Sequence, residues 1–232
     1  MKHTVKEIGL GGRNVTLYTD DVPQYILVQP VDSHDMEEMT SEIVYIEQHS
    51  DKSFMLAAVK ISKWNDELTP WQAPPVFGKI PFGDGAAQTL KFITDTLLPA
   101  ITTDGKGQNV ILGGYSLAGL FSLWSAWQTD VFEAVVAASP SVWYKDWLDY
   151  SSARNSKVKH VYLSLGDHEY HCKNALMATV GEAIEKQKAI LDAQGIENTL
   201  VWNPGNHFMD NGVRTAKGFV WAMKKLYLHN QK

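Results

Sequence analysis

Short apolar runs alternate with longer amphipathic segments along this chain. Apolar and polar residues alternate at 5–8 and 14–18 around a glycine-rich step, which predicts an antiparallel hairpin. Continuous apolar runs predict buried strands at 25–28, 54–61, 132–138, 158–165 and 199–202, and in the run that begins at Asn109. Apolar residues spaced three and four apart predict helices at 36–48, 86–101, 117–128, 175–194 and 213–227.

This order of elements indicates an α/β fold. Strands and helices alternate after the hairpin, and strands joined through helices form a mostly parallel sheet with helices on both faces. A chain of 232 residues is long enough for one large core and short for two, so we expect a single domain over 1–232. The aromatic segment 141–157 is a candidate for a small cap.

Composition narrows the classes of partner. The formal net charge is −5, which gives no reason to expect nucleic acid or an anionic membrane surface. A neutral or weakly charged small molecule fits this balance better. The single cysteine, Cys172, excludes an intrachain disulfide framework and suits a reducing compartment. The first twenty residues carry charges and no long apolar run, so we expect a cytoplasmic protein with neither signal peptide nor membrane span.

The stretch G-G-Y-S-L-A-G at 113–119 predicts a sharp turn between a strand and a helix, with Ser116 at its tip. A serine that stands clear of a sheet needs small residues two positions before and after it, because larger side chains would collide in so tight a turn. Gly114 and Ala118 occupy those positions. Ser116 is therefore a candidate nucleophile, and the alternative is a serine that only caps the following helix.

A serine nucleophile needs a general base, and the base needs a group that fixes its tautomer. His207 follows the last predicted strand and is the expected base. The stretch L-G-D-H-E offers two acids, Asp167 and Glu169, after the preceding strand. The usual position of the acid, about three residues past the strand's final glycine, favours Glu169 and leaves Asp167 as the alternative.

Acyl transfer also needs N–H groups that meet the developing oxyanion. We expect one from Leu117, directly after the candidate nucleophile, and one from Ser62, with Lys63 as the neighbouring alternative. The aperiodic loop 63–85 is rich in proline and aromatic residues, and it either contacts substrate or only covers the sheet. The aromatic residues expected to contact substrate are Trp64, Trp71, Tyr115 and Trp143.

His168, His171 and Cys172 are residues of metal-ligand type. The histidines of H-E-Y-H are three apart and do not match the H-E-x-x-H spacing of zinc proteases. We therefore expect no metal and no other cofactor.

Further stretches accompany G-G-Y-S-L-A-G and L-G-D-H-E: E-L-T-P at 67–70, L-L-P-A-I at 97–101, A-S-P-S-V-W-Y at 138–144, M-A-T-V-G at 177–181 and P-G-N-H-F at 204–208. Taken together, these motifs resemble the putative esterase family of α/β-hydrolases, which groups enterochelin esterase-like proteins, esterase D and feruloyl esterases. The enterochelin esterase-like branch is the most similar, and the resemblance implies an α/β-hydrolase fold with little or no lid and a serine hydrolase activity.

The chain departs from this family pattern at two places. Ala118 replaces the second glycine of G-x-S-x-G, a change small enough to leave the turn intact. The arginine expected shortly before E-L-T-P is absent, and Trp64 stands near its place. A tri-anionic ferric siderophore would require a basic pocket, so we expect an uncharged or aromatic ester instead.

The leading hypothesis is thus a carboxylic ester hydrolase that works through Ser116, His207 and Glu169. Two alternatives stay open: a non-catalytic ligand-binding protein that retains the fold, and an acyltransferase that uses the same residues. The sequence gives no indication of the oligomeric state.

Overall fold

A computed structural model describes residues 3–20, 22–76, 78–102 and 108–229. Within these residues one sheet contains eight strands: β1 (Thr4–Leu10), β2 (Arg13–Thr19), β3 (Tyr25–Val31), β4 (Phe54–Lys60), β5 (Asn109–Tyr115), β6 (Ala134–Ala138), β7 (His160–Gly166) and β8 (Glu197–Asn203). Their order in the sheet is β1-β2-β4-β3-β5-β6-β7-β8. β1 pairs with β2 and β2 with β4 in antiparallel fashion, and every other pair is parallel.

Helices cover both faces of the sheet, as predicted from the alternation of strands and helices. The helices are α1 (Ser33–His49), α2 (Trp64–Glu67), α3 (Ala86–Phe92), α4 (Leu98–Ile101), α5 (Leu117–Gln128), α6 (Trp147–Ser152), α7 (Val180–Ala193) and α8 (Asn211–His229). α1 and α8 pack on one face of the sheet, and α3, α5 and α7 pack on the other. A π-helical turn, Ile93–Leu97, joins α3 to α4.

The protein has one hydrophobic core on each face of the sheet, because successive side chains of a strand point to opposite faces. Along β4, Leu56 and Ala58 are buried in the core under α1 and α8, whereas Ala57 and Val59 are buried in the core on the opposite face. Strands with both faces covered read as continuous apolar runs, which is why the sequence shows them so clearly. Within the described ranges, every helix is too short or too polar to cross a lipid bilayer.

The structure differs from the predicted elements mainly at one helix start. The helix predicted from residue 175 begins as a 3-10 turn, Met177–Thr179, and becomes α-helical only at Val180. Asn174 explains the delay, since its Oδ1 accepts hydrogen bonds from the N–H groups of Leu176 (3.0 Å) and Met177 (3.1 Å). Such local side-chain bonds compete with the helix.

The fold brings the candidate residues to one edge of the sheet. Ser116 directly follows β5, and the loops after β7 and β8 carry Glu169 and His207. These strands are parallel, so their carboxyl ends lie at the same edge, which is where open α/β sheets bind ligands.

Candidate active site

Ser116 lies on a sharp turn between β5 and α5. Its backbone has φ 57° and ψ −118°, an unusual conformation for a residue with a side chain. Its N–H donates to the Ala138 carbonyl (3.1 Å), and its carbonyl accepts from the N–H groups of Leu120 (3.0 Å) and Ser141 (3.1 Å). These bonds to the neighbouring strand end and helix hold the strained turn in place.

The small residues around Ser116 are required by close packing. A Cβ added to Gly114 would lie 2.6 Å from the Cβ of Ala118, well inside van der Waals contact. A Cβ on Gly119 would lie 3.1 Å from the Ala138 carbonyl oxygen. The turn therefore requires glycine at position 114, and Ala118 fits because Gly114 has no side chain.

His207 joins Ser116 to Glu169. Its Nε2 lies 3.1 Å from Ser116 Oγ, and its Nδ1 lies 2.6 Å from Glu169 Oε2. With Nδ1 protonated, the ring donates to the carboxylate and leaves Nε2 free to accept the serine proton. The three side chains form one continuous hydrogen-bonded path.

Glu169 is buried, with 6% of its surface exposed, and it is well supplied with donors. Its Oε1 accepts from Ser139 Oγ (2.6 Å), the Gly166 N–H (2.6 Å) and Arg214 Nη1 (3.0 Å). Burial by itself raises the pKa of this carboxyl, but the hydrogen bond and charge of His207, followed by the bonds from Ser139 and Gly166, outweigh it and leave the pKa lowered. Glu169 is therefore held as a carboxylate.

Asp167 faces away from His207. Its Oδ1 accepts from the Gly205 N–H (2.8 Å) and lies 2.6 Å from His168 Nδ1. The hydrogen bond from His168 and then that from Gly205 lower its pKa, although the side chain is about half exposed. The Gly205 bond ties the loop that carries His207 to the loop after β7, so Asp167 supports the shape of the site from outside.

Arg214 and Tyr115 donate hydrogen bonds to the loop that carries His207. Arg214, only 1% exposed, donates to Glu169, to Tyr115 Oη (3.2 Å) and to the Pro204 carbonyl (2.8 Å). The Tyr115 hydroxyl donates to the His207 carbonyl (2.8 Å). We expected Tyr115 to contact substrate, but the structure buries it under this loop, 3% exposed, where burial raises the pKa of its hydroxyl.

Sequence reasoning missed both Arg214 and Ser139 as members of this network. The only signal for Arg214 was a charged residue in the first turn of a helix next to the predicted base, which usually indicates a solvent-exposed face. Ser139 has a positive φ of 43°, and nothing in the run A-S-P-S singled it out from its neighbours.

The two expected oxyanion donors are in different states. The N–H of Leu117 belongs to the first turn of α5, where N–H groups have no acceptor within the helix. Those of Ser62 (3.1 Å) and Lys63 (2.7 Å) both donate to Glu67 Oε1. The other oxygen of Glu67 pairs with Arg13. A carboxylate therefore already occupies the N–H groups predicted to serve as the second donor.

A cleft of about 380 Å³ opens beside Ser116 and His207. Neither lysine nor arginine lines it, and its walls are mainly apolar. Of the four aromatic residues expected to contact substrate, Trp143 lines this cleft. Trp71 instead donates from Nε1 to the Lys145 carbonyl (2.9 Å), and Trp64 packs against the core. The lining residues are Ser116, Ser139, Ser141, Trp143, Glu169, Cys172, Met177, Val180, His207 and Phe208.

Comparison with known proteins gives the family. Residues 34–207 match the sequence model named Putative esterase, and this match covers most of the chain. The chain belongs to that family. It is accordingly an esterase, as the motifs predicted. No curated protein sequence matches the esterase significantly.

Solved structures with the same fold cover nearly all of the esterase. An IroE-like serine hydrolase from Shewanella oneidensis has a TM-score of 0.73 at 16% identity, over 94% of this chain and 79% of that chain. A siderophore hydrolase, EstA from Aspergillus nidulans, has 0.67 at 17%, over 97% and 95%. The enterobactin esterase FES from Shigella flexneri has 0.70 at 13%, over 98% and 61%. The likeness confirms the predicted α/β-hydrolase fold.

Proposed function

We propose that this esterase hydrolyses a small, uncharged or aromatic carboxylic ester through Ser116, His207 and Glu169. The observation that carries the proposal is the continuous path from Ser116 Oγ through His207 to Glu169, over 3.1 and 2.6 Å, on the strained turn at Ser116. Glu169 is the proposed acid rather than Asp167, because Glu169 contacts His207 Nδ1 and Asp167 contacts His168.

The reaction has two steps that share this geometry. Ser116 Oγ attacks the ester carbonyl carbon while His207 Nε2 takes the hydroxyl proton, and Glu169 stabilises the imidazolium that forms. His207 then gives the proton to the departing alcohol oxygen, which leaves an acyl-Ser116 ester. A water molecule, deprotonated by His207, attacks this ester, and the carboxylic acid product departs as Ser116 recovers its proton.

The developing oxyanion requires N–H donors. Leu117 is the proposed first donor, because a free first-turn N–H at a helix amino end favours negative charge. Ser62 is the proposed second donor, and in this role it requires the Glu67 carboxylate to withdraw. A carboxylate bonded to the same N–H would both occupy it and repel the oxyanion.

The cleft favours a neutral substrate. Two of the similar proteins are described as a siderophore hydrolase and an enterobactin esterase, but this cleft has no lysine or arginine on its lining. The three arginines of the chain are committed elsewhere: Arg13 to Glu67, Arg154 to the Tyr150 ring and Arg214 to Glu169. Within this cleft, a tri-anionic ligand would contact no arginine or lysine on the lining that could compensate its charge.

A fluorophosphonate probe tests the proposal directly. We expect the folded protein to be labelled at Ser116 and to hydrolyse short p-nitrophenyl esters, and we expect Ser116→Ala to lose both properties. Ser122→Ala is the matched control, since that buried serine lies on α5 and only bonds the Ala118 carbonyl. Hydrolysis that survives in Ser116→Ala would refute the proposed nucleophile.

The same assay separates the alternatives. An acyltransferase would divert the acyl group from water to an added alcohol, which product analysis detects. A non-catalytic binding protein would retain an intact ester without turnover or labelling. We further propose a cytoplasmic location, because Cys172 is the only cysteine and an exposed free thiol, a state that persists in reducing compartments. Cell fractionation tests this.

A further inference from the structure

A second cavity shares Trp143 with the cleft beside Ser116 and His207, which is called the catalytic cleft below. This aromatic groove, of about 350 Å³, is lined mainly by apolar and aromatic residues, among them Pro74, Pro75, Val76, Phe82 and Leu176. Trp143 is 8% exposed and is the residue that lines both cavities.

The floor of the aromatic groove is rigid. The Phe82 ring lies 5.2 Å from the Tyr144 ring in an edge-on arrangement and 6.2 Å from the Trp143 ring, which are favourable aromatic geometries. The Tyr144 hydroxyl donates to the Trp71 carbonyl, and Trp71 Nε1 donates back to the Lys145 carbonyl. These bonds fix the groove before any ligand binds, which lowers the entropic cost of binding.

A side-chain hydrogen bond joins two walls of the groove. Asn174 Nδ2 donates to the Val76 carbonyl (2.6 Å), which links the segment after β7 to the loop before α3. Its Oδ1 is occupied by the N–H groups of Leu176 and Met177. The amide is therefore engaged on both sides, and the groove offers a ligand mainly apolar and aromatic surface, with Lys145 as its charged residue.

We propose that the aromatic groove is a second substrate subsite, and that the natural ester has one apolar or aryl arm long enough to pass Trp143 from the catalytic cleft. This inference rests on the proposed function. Each cavity alone is at the small end of the usual range of roughly 300–1,000 Å³ for small-molecule sites, and the two together lie well within it. Aromatic and proline walls favour a flat or chain-like apolar group over a polar one.

Leu176→Arg tests the subsite, because Leu176 lines the groove and is 42% exposed, so that an arginine there is compatible with folding. The acyl arm is compared with p-nitrophenyl acetate and octanoate, and the alcohol arm with phenyl and biphenyl-4-yl acetate. We expect the ratio of kcat/KM, long over short, to fall about tenfold in at least one of these series, as a charge at an apolar subsite rejects an apolar arm.

Val131→Arg is the matched control, since Val131 is 40% exposed and lies before β6, outside both cavities. Its ratio should equal that of the wild type. Leu176→Ala serves as a second variant and should lower the same ratio by a smaller factor. Unchanged ratios in both series, with normal fluorophosphonate labelling, would overturn the subsite while leaving the proposed function intact. Loss of labelling in the wild type would instead defeat the proposed function.

Discussion

Buried carboxyl groups at the catalytic edge of the sheet and on α1 have pKa values shifted in opposite directions. Glu169, at the catalytic edge, has a histidine, an arginine, a serine and a backbone N–H as partners, and its pKa is lowered. Glu42, on α1, is 1% exposed and accepts one hydrogen bond, from Gln29 Nε2 (3.3 Å). Burial, which that bond only partly offsets, raises the pKa of Glu42 well above its usual range.

Asp35, also on α1, resembles Glu42 more than Glu169. It is 7% exposed and accepts from the Asp32 N–H (3.2 Å) in the capping box of α1. Burial, and then the nearby charge of Asp32, raise its pKa to about 7. Burial is thus common to all three residues, and the supply of donors and cations decides in which direction the pKa of each carboxyl is shifted.

The strongest test of this contrast is Glu169→Gln. The substitution removes the negative charge that stabilises the imidazolium of His207, and the amide can present its NH₂ to Nδ1 and so favour the wrong tautomer. We expect kcat to fall by about 10³–10⁴-fold with little change in KM. Steady-state hydrolysis of p-nitrophenyl acetate measures it.

Asp167→Asn is the matched control for Glu169→Gln. The asparagine Oδ1 can still accept from the Gly205 N–H, so we expect kcat to stay within about threefold of the wild type. If Asp167→Asn were the variant with the large loss, the assignment of the acid would be reversed.

Arg214→Met should show how much the pairing of Arg214 with the buried Glu169 contributes to the stability of the fold. It leaves the buried Glu169 without its cation and the Pro204 carbonyl without a donor. Breaking a buried ion pair from one side costs about 3–5 kcal/mol of unfolding free energy. Urea denaturation measures the loss. Arg154→Met is the control: Arg154 lies over the Tyr150 ring at an exposed site, where we expect a change within about 1 kcal/mol.

The apolar pattern predicted most of this architecture. Buried strands on a doubly covered sheet must be apolar, and the helices bury one stripe, so both periods are visible in the sequence. The strained turn at Ser116 was also readable, because only small residues fit beside it. The start of α7 was not. Asn174 Oδ1 takes the N–H groups of Leu176 and Met177 from the helix, and the same side chain is held by the bond from its Nδ2 to the Val76 carbonyl, 98 residues away.

The proposed catalytic roles could be inferred only from local pattern and chain order. The small residues at the strand-to-helix turn pointed to Ser116, order along the chain pointed to His207, and the distance past the strand end ranked Glu169 above Asp167. Neither chain order nor local pattern carried information on Arg214, which contacts Glu169 because of the way α8 packs. The sequence also contained no sign that the Ser62 and Lys63 N–H groups donate to Glu67, because these are bonds between backbone and side chain within one loop.

Asp35, a buried carboxyl without a cationic partner among the contacts described above, should make the stability of the fold depend on pH. A carboxyl whose folded pKa is raised stabilises the fold fully below its unfolded pKa, near 3.8 for Asp35, and this contribution is lost as the pH rises through about 7. Asp35→Asn removes the titration and keeps an acceptor for the Asp32 N–H. Between about pH 4 and about pH 8, we expect its unfolding free energy to improve relative to the wild type by about 4 kcal/mol.

Chemical denaturation at several pH values checks this prediction. Asp51→Asn is the control, because Asp51 is an exposed carboxylate beside Lys52 and its substitution should leave the pH dependence unchanged. A pH profile for Asp35→Asn parallel to that of the wild type would show that Asp35 is ionised in the folded protein.

The smallest expected effect concerns Glu67, a carboxylate whose partners resemble those of Glu169. It pairs with Arg13 and accepts from the Ser62 and Lys63 N–H groups, yet in doing so it occupies a proposed oxyanion donor. Glu67→Gln keeps an acceptor oxygen but removes the charge, which makes the bonds to Ser62 and Lys63 weaker. Release of the Ser62 N–H then costs less, so kcat should rise about two- to fivefold.

The rise in kcat should accompany a lower melting temperature, because the same substitution removes the pairing with Arg13. Asp95→Asn, which removes an exposed carboxylate paired with Lys91 on the π-helical turn, controls for the change in net charge and should alter neither quantity. A fall in kcat of tenfold or more in Glu67→Gln would mean that the carboxylate must stay in place during the reaction. Ser62 would then be excluded as the second donor, and the oxyanion would depend on Leu117 and an N–H from another residue.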